Sequence, residues 1–193
     1  NPEVFRETVK SHGQNLVKGF NNLLHDMEAG DGKLRIRMTD TEAFELGKNV
    51  ATSPGKVVFK NDLFQLLQYT PSTAKVHKRP LLIVPPWINK FYILDLQPDN
   101  SFVGHAVAQG HTVFLVSWRN AGPEQAKLGW DDYLERGVMQ AFEVALAISR
   151  ADRVNALGFC VGGTLLTSAL AVMAARGEDK IENWKEYIDV IVA

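Results

Sequence analysis

An α/β fold, with a mostly parallel sheet and helices on both faces, is what this sequence predicts. Three observations carry that expectation. Short apolar runs at residues 81–84, 112–118 and 153–157 alternate with helix-forming segments at 101–109, 131–151 and 161–176, and no internal repeat interrupts the series. Strand–helix alternation of this kind builds a parallel sheet. Two of the runs end in features that place chemistry at a strand's carboxyl end, Pro85-Pro86 and Cys160, which is where sites in such sheets lie. Finally, 193 residues with 46% apolar content are enough to bury a core between layers.

The composition narrows the functional classes. With 22% charged residues and a net charge of −1, the chain reads as soluble and globular, with no basic footprint for nucleic acid. A single cysteine excludes an internal disulfide framework, and zinc-ligand spacings are absent, which fits a reducing compartment. No secretory signal is visible at Asn1-Pro2-Glu3-Val4, and the missing initiator methionine predicts a fragment or processed piece. Residues 154–175 carry no charge and are long enough to cross a bilayer. Gly158, Gly162 and Gly163, and a change from strand-like to helix-like composition, instead favour a buried strand feeding a buried helix.

Taken in order, Phe5, Val9, Leu16, Phe20, Leu23, Leu24 and Met27 fall near helical spacing, predicting one amphipathic helix over 2–27 with its stripe in the core. A groove-docking or membrane-surface helix is the alternative. Leu34-Arg35-Ile36-Arg37-Met38 alternates like a half-buried strand, and Asp40 or Thr41 can cap a short helix reaching about Asn49. Val57-Val58-Phe59 and residues 63–69 read as two strands joined by a turn at Asn61-Asp62. The run 81–84 is a central strand ended by its prolines; 101–109 is a helix closed by Gly110; 112–118 is a strongly β-type run; 131–151 is a long helix. Two domains are expected: an N-terminal helical and short-strand region over 1–78, and the core over 79–193.

The candidate site begins with Gly158-Phe159-Cys160-Val161-Gly162-Gly163. A strand that turns sharply into a helix holds the residue at the turn's apex in a strained conformation, and Gly158 and Gly162 remove Cβ atoms where the helix crosses the strand. Cys160 would open the helix, where unpaired N–H groups and the positive dipole end favour thiolate, the nucleophilic form. The Val161 N–H is the first donor of an oxyanion hole. Free cysteine is also among the most buried residue types, and the pentapeptide alone is a weak pattern. The strand before it and the helix after it, closed by Gly177, favour the elbow.

Three ordered blocks resemble the polyhydroxyalkanoate synthases, most closely the class I, short-chain-monomer type. They are Pro85-Pro86-Trp87-Ile88-Asn89-Lys90-Phe91-Tyr92-Ile93-Leu94-Asp95-Leu96, then Gly110-His111-Thr112-Val113-Phe114-Leu115-Val116-Ser117-Trp118-Arg119-Asn120, then the cysteine block. The resemblance implies an α/β-hydrolase-like core, incomplete at its C-terminal side, and an acyltransferase that polymerises (R)-3-hydroxyacyl-CoA, with 3-hydroxybutyryl-CoA the implied monomer. Cys160 would attack the thioester, coenzyme A would leave, and the acyl group would pass to a chain-end hydroxyl; coenzyme A is then part of the substrate, and no cofactor is implied. A second oxyanion donor would follow the first core strand, at the N–H of Trp87 or alternatively Ile88. The resemblance also implies a homodimer in the complete enzyme and a cytoplasmic location at the polymer granule surface.

Asn89 reads as holding the strand-end loop and Asp95 as satisfying backbone donors, with no chemical step assigned to either. The family's mechanism needs a histidine base and an aspartate after the nucleophile, yet no histidine follows Cys160, and Glu178, Asp179, Glu182, Glu186 and Asp189 lie in a short polar segment. His105 and His111 precede the nucleophile and fit no base role by chain order. Residues 181–189 read as a helix or linker where the family continues into another strand. An isolated chain of this sequence is therefore expected to lack polymerase turnover. A cysteine-elbow thioesterase and a non-catalytic granule- or partner-binding module are the competing functions.

Overall fold

The computed structural model describes residues 1–40 and 42–178; the segment 181–189, and Thr41, lie outside the described residues. Two compact units are present, Asn1–Phe44 and a second that begins at Glu45. In the first, Asn1 caps helix α1 (Pro2–Lys10), its Oδ1 accepting from the Glu3 N–H at 3.0 Å, with Pro2 pre-set for the first turn. The single helix expected over 2–27 is two, because His12 and Gly13 take φ of 50° and 83° and α2 restarts at Gln14–Glu28. The apolar stripe expected in the core is exposed, Phe5 at 72% and Phe20 at 59%. Helical spacing identifies the stripe but not what covers it.

Two further expectations fail here. Leu34 to Met38 forms no strand, since a ladder needs a neighbour. Instead the Arg35 N–H donates to the Asp26 carbonyl at 3.3 Å and Arg37 Nε to the buried Asp26 carboxylate at 2.9 Å. No helix follows Asp40, whose Oδ1 accepts from the Glu42 N–H at 3.0 Å in a local turn that competes with helix.

The second unit holds a five-stranded sheet in the order β1-β2-β6-β3-β7. Its strands are β1 (Gly55–Lys60), β2 (Phe64–Tyr69), β3 (Leu81–Val84), β6 (Val113–Trp118) and β7 (Asn155–Gly158); β4 (Asp95–Gln97) and β5 (Asn100–Ser101) form a small separate hairpin. The sheet is mixed rather than mostly parallel. β3 runs parallel to both β6 and β7, whereas β2 is antiparallel to β1 and β6. Connection length decides the pairs at either side: the short turn at Asn61 can only make a hairpin of β1 and β2, while helix-bearing crossovers deliver β3, β6 and β7 in parallel. Asn61 fixes that turn through Oδ1, which accepts from the N–H groups of Leu63 and Phe64 at 2.8 and 3.0 Å.

Alternation along the strands sends side chains to two cores. Leu82, Val84, Phe114, Val116 and Ala156 pack with Val138, Phe142, Leu165 and Leu166 on one face. Leu81, Ile83, Val113, Leu115 and Leu157 pack with Val103, Ala106 and Val107 of α3 (Phe102–Ala108) on the other. The long helix expected over 131–151 is α4 (Trp130–Asp132), a π-helical stretch over Tyr133–Met139, and α5 (Gln140–Ser149). Helix α6 (Val161–Ala175) follows β7 and packs on the same face. No helix among the described residues is long and apolar enough to cross a membrane.

Asp95 is fully buried and closes the loop that leaves β3. Its Oδ1 accepts from the hydroxyls of Ser53 and Ser101, both at 2.6 Å, and its Oδ2 from the Ser53 N–H at 3.2 Å. Ser101 in turn caps α3, accepting from the Gly104 N–H at 2.8 Å. Asp95→Ala is expected to cost about 2–4 kcal/mol in urea unfolding, because it strands two hydroxyls and a backbone donor; a loss under about 1 kcal/mol would contradict this account. Tyr69 is buried on β2 with a hydroxyl that has no partner among the described residues, and burial, then the charge of Asp95, push its phenol well above the ordinary value. The folded chain keeps this proton where an unfolded tyrosine loses it, so the stability concerned is present below about pH 10 and lost as pH rises beyond it. Unfolding measured above about pH 10 should show a flatter alkaline decline for Tyr69→Phe than for the parent.

Candidate active site

The site is built by one backbone crossing. β7 ends at Gly158, the Phe159 N–H reaches the Val84 carbonyl at 3.1 Å, and the chain reverses at Cys160 with φ 54° and ψ −130° before entering α6. A Cβ on Gly162 would stand 2.1 Å from the Val84 carbonyl oxygen and 2.7 Å from the Pro85 carbonyl carbon, and one on Gly158 2.4 Å from Gly163 Cα. The first turn of α6 therefore lies in backbone contact with the end of β3. This brings Cys160 and Val161 to the strand end that carries Pro85, Pro86 and Trp87.

Cys160 is exposed, at the N-cap of α6, in a backbone region that costs a non-glycine residue of order 1–3 kcal/mol. The next three donors are engaged: the Gly162 N–H with the Phe159 carbonyl at 2.9 Å, and those of Gly163 and Thr164 with the Cys160 carbonyl at 2.8 and 3.4 Å. The Val161 N–H has no acceptor among the described residues. Such an arrangement offers a strained, accessible thiol beside a free donor at the positive end of a helix.

Trp87 leaves β3 half-buried in an aromatic cluster. Its ring centroid lies 5.4 Å from Tyr133, 5.9 Å from Trp130 and 6.3 Å from Trp118. Trp118 Nε1 donates to the Pro85 carbonyl at 2.7 Å, tying the end of β6 to the end of β3. Gly137, in the π-helical stretch, makes room for that indole: a Cβ there would stand 3.0 Å from its ring. Sequence reasoning placed Trp118 in a strand and missed Trp130, Tyr133 and the π turn; the available signal was a glycine within an apolar helix, opposite a bulky aromatic.

The remaining candidates sit apart. Ile88 is exposed, and Asn89, read as holding the loop, is exposed with no side-chain partner among the described residues. Asp95 accepts from two hydroxyls besides the one backbone donor, so backbone donors are the smaller part of its role. His105 is on exposed surface of α3. His111 precedes β6, at the sheet end opposite Cys160, its ring tilted by 44° against that of His77 with centroids 4.8 Å apart; burial, then the His77 charge, lower its affinity for a proton. No group of three or more His, Cys, Asp or Glu among the described residues could hold a metal ion.

Comparison with known proteins bears on this arrangement. The family described as "Poly-beta-hydroxybutyrate polymerase (PhaC) N-terminus" matches residues 1–106. The poly(3-hydroxyalkanoate) polymerase subunit of Cupriavidus necator is 57% identical over 178 residues, 92% of this chain and 30% of the relative. The Rhizobium meliloti subunit is 50% identical over 183 residues, and polymerase 1 of Ectopseudomonas oleovorans 38% over 181. These matches cover 95% and 94% of this chain and 30% and 32% of those relatives, so the chain spans about a third of their length. Among solved structures, a brefeldin A esterase superposes with a TM-score of 0.48 at 18% identity, covering 93% of this chain and 46% of the esterase. A lipase-like protein from Sulfolobus solfataricus gives 0.47 at 13% identity, covering 63% and 46%.

The crossing makes a sharp prediction. Gly162→Ala should destabilise by about 3 kcal/mol or more, or prevent folding, since its Cβ meets backbone that cannot yield. Gly163→Ala should be neutral or mildly stabilising in the same denaturation measurement, because its Cβ meets only ordinary contacts from 3.4 Å outward and alanine is the better helix former.

Proposed function

The chain belongs to the poly-beta-hydroxybutyrate polymerase family, and on that premise we propose that its crossing of α6 over β3 is a cysteine elbow for acyl transfer, on an α/β-hydrolase-like core. The observation that carries the reading is the positive-φ Cys160 at the helix entrance, held by glycines in backbone contact with the strand end that bears Trp87. The Cys160 thiolate attacks the carbonyl carbon of an (R)-3-hydroxyacyl-CoA, forming a new carbon–sulfur bond; the old one breaks, and coenzyme A leaves with the displaced electron pair. A chain-end hydroxyl then attacks the acyl-enzyme, loses its proton to a base, and lengthens the polyester while the thiolate returns. A thioester donor suits a thiol acceptor, since the two acyl–sulfur bonds are close in energy and the intermediate stays reactive toward an alcohol.

The charge that develops on the carbonyl oxygen is taken by the N–H groups of Val161 and Trp87. These are backbone roles, so side-chain substitution tests them poorly. A histidine base is not supplied by residues after Cys160 in this sequence, where no histidine occurs. The substrate, the polyester chain, a homodimer in the complete enzyme and a cytoplasmic granule surface belong to the same proposal. The exposed apolar side chains of α1 and α2 favour a second reading for Asn1–Phe44 alone, as a surface that binds polymer or a partner.

Intact-mass spectrometry after incubation with 3-hydroxybutyryl-CoA tests the elbow. The expected result is one acyl adduct on the parent chain, none on Cys160→Ala, and no polymer from either. No adduct on the parent chain, or one that persists in Cys160→Ala, would overturn the elbow, and Cys160-dependent polymer formed by this chain alone would overturn the reading that it supplies no base.

A further inference from the structure

We infer that a polar groove at the ends of β1, β2 and β6 is the seat of the phosphate-bearing nucleotide of the acyl-CoA substrate, a proposal that rests on the acyl-transfer reading above. The groove has a volume of about 450 Å³ and is lined by Lys60, Asn61, Phe64, Gln65, Ser117, Trp118 and Arg119. Its placement follows from register. Lys60 pairs with Gln65 across β1 and β2, and Gln65 with Ser117 across β2 and β6, so the three side chains form one row on one face of the sheet. That row offers an ammonium, an amide and a hydroxyl, the donor types that suit phosphate oxygens.

Charge singles out Lys60 within the row. It is exposed, and no carboxylate lies within ion-pair distance of it among the described residues. Arg119 adds a second cation, though Glu124 pairs with it. Asp62, next to Asn61 in the turn, is already engaged by Arg136 at 3.1 Å. A lone ammonium beside neutral donors is the arrangement a multiply charged anion meets without displacing a carboxylate.

Distance connects the groove to Cys160. The groove opens at the carboxyl end of β6, the same end of the sheet as the elbow, and strands lie about 4.8 Å apart. Gln65 is three strands from β7 and Lys60 four, or about 14 and 19 Å along the sheet. The pantetheine arm between the thioester sulfur and the pyrophosphate is twelve bonds long, about 14 Å when extended. A second cavity of about 290 Å³, lined by Lys90, Phe91, Tyr92 and Asn120, shares Ser117 and Trp118 with the groove and continues into the loop that leaves β3. The span from β7 to Gln65 thus matches the extended arm, and Lys60, one strand further, stands where phosphate groups beyond the arm would reach.

The test separates the groove from the elbow. Adenosine 3′,5′-bisphosphate is titrated into the Cys160→Ala chain by calorimetry, with and without Lys60→Glu. Saturable binding that weakens fivefold or more with Lys60→Glu, and weakens with added salt, is the expected result; no saturable binding, or binding indifferent to Lys60, overturns the groove. Acyl capture by Cys160 is then followed with two donors, 3-hydroxybutyryl-CoA and the N-acetylcysteamine thioester, which lacks the nucleotide. Lys60→Ala should slow capture about fivefold from the first and leave the second unchanged. Equal effects on both donors count against the groove, whereas nucleotide binding without capture from either donor counts against the elbow.

Discussion

The contact on which the rest of the second unit depends is backbone against backbone, where the first turn of α6 rests on the end of β3. Helices usually meet sheets through side chains. Here Gly162 allows the Val84 carbonyl and the Pro85 peptide to approach the helix itself, and Gly158 does the same against the backbone of Gly163 where β7 meets α6. A crossing this close leaves Cys160 no room for an ordinary conformation, so the strain at φ 54° is a consequence of the packing. The pairing of β3 with β7, through Val84 and Gly158, sets the angle at which the helix arrives.

The loop that leaves β3 is held at both ends. At its start, Trp118 donates to the Pro85 carbonyl, and its indole is wedged among Phe64, Trp87 and Tyr133. At its far end, Asp95 gathers Ser53 and Ser101, and its carbonyl accepts from the Ala51 N–H at 2.9 Å. Buried carboxylates persist only when their lone pairs are filled, and three donors fill this one. A backbone donor carried on Trp87 is thereby fixed by residues far from it in sequence.

Much of this was legible in the residues. The runs at β3, β6 and β7 are short, apolar and bounded by turn signals, and the glycines around Cys160 announced a close approach before any contact was seen. What the sequence hid was non-local. Helical spacing in Phe5 to Met27 shows an apolar stripe without saying what meets it, and alternation from Leu34 to Met38 predicts a strand only if a second strand is near. The antiparallel pairing of β1 with β2 was within reach, since the short Asn61-Asp62 connection already forbade a parallel pair, whereas nothing in the long connection from β2 to β6 announced that second antiparallel pair. Asp95's partners were not, because Ser53 lies 42 residues away and a serine in a polar stretch carries no mark of its destination.

The free donor at the start of α6 sets a limit on the chemistry proposed for this site. Helix starts leave several N–H groups unpaired, but here Gly162, Gly163 and Thr164 turn theirs back onto Phe159 and Cys160, leaving that of Val161. One donor cannot serve a thiolate and an oxyanion fully at the same time. As the sulfur attacks, negative charge moves from it to the carbonyl oxygen, and a donor that follows this charge binds the transition state better than the reactants, which is the condition for acceleration. A helix start with many free donors would hold both charges and favour neither. On the proposed reading, the tightness of the crossing contributes to catalysis by withholding hydrogen bonds as well as by aiming the nucleophile, and the second donor at Trp87 works because its loop is pinned from both ends.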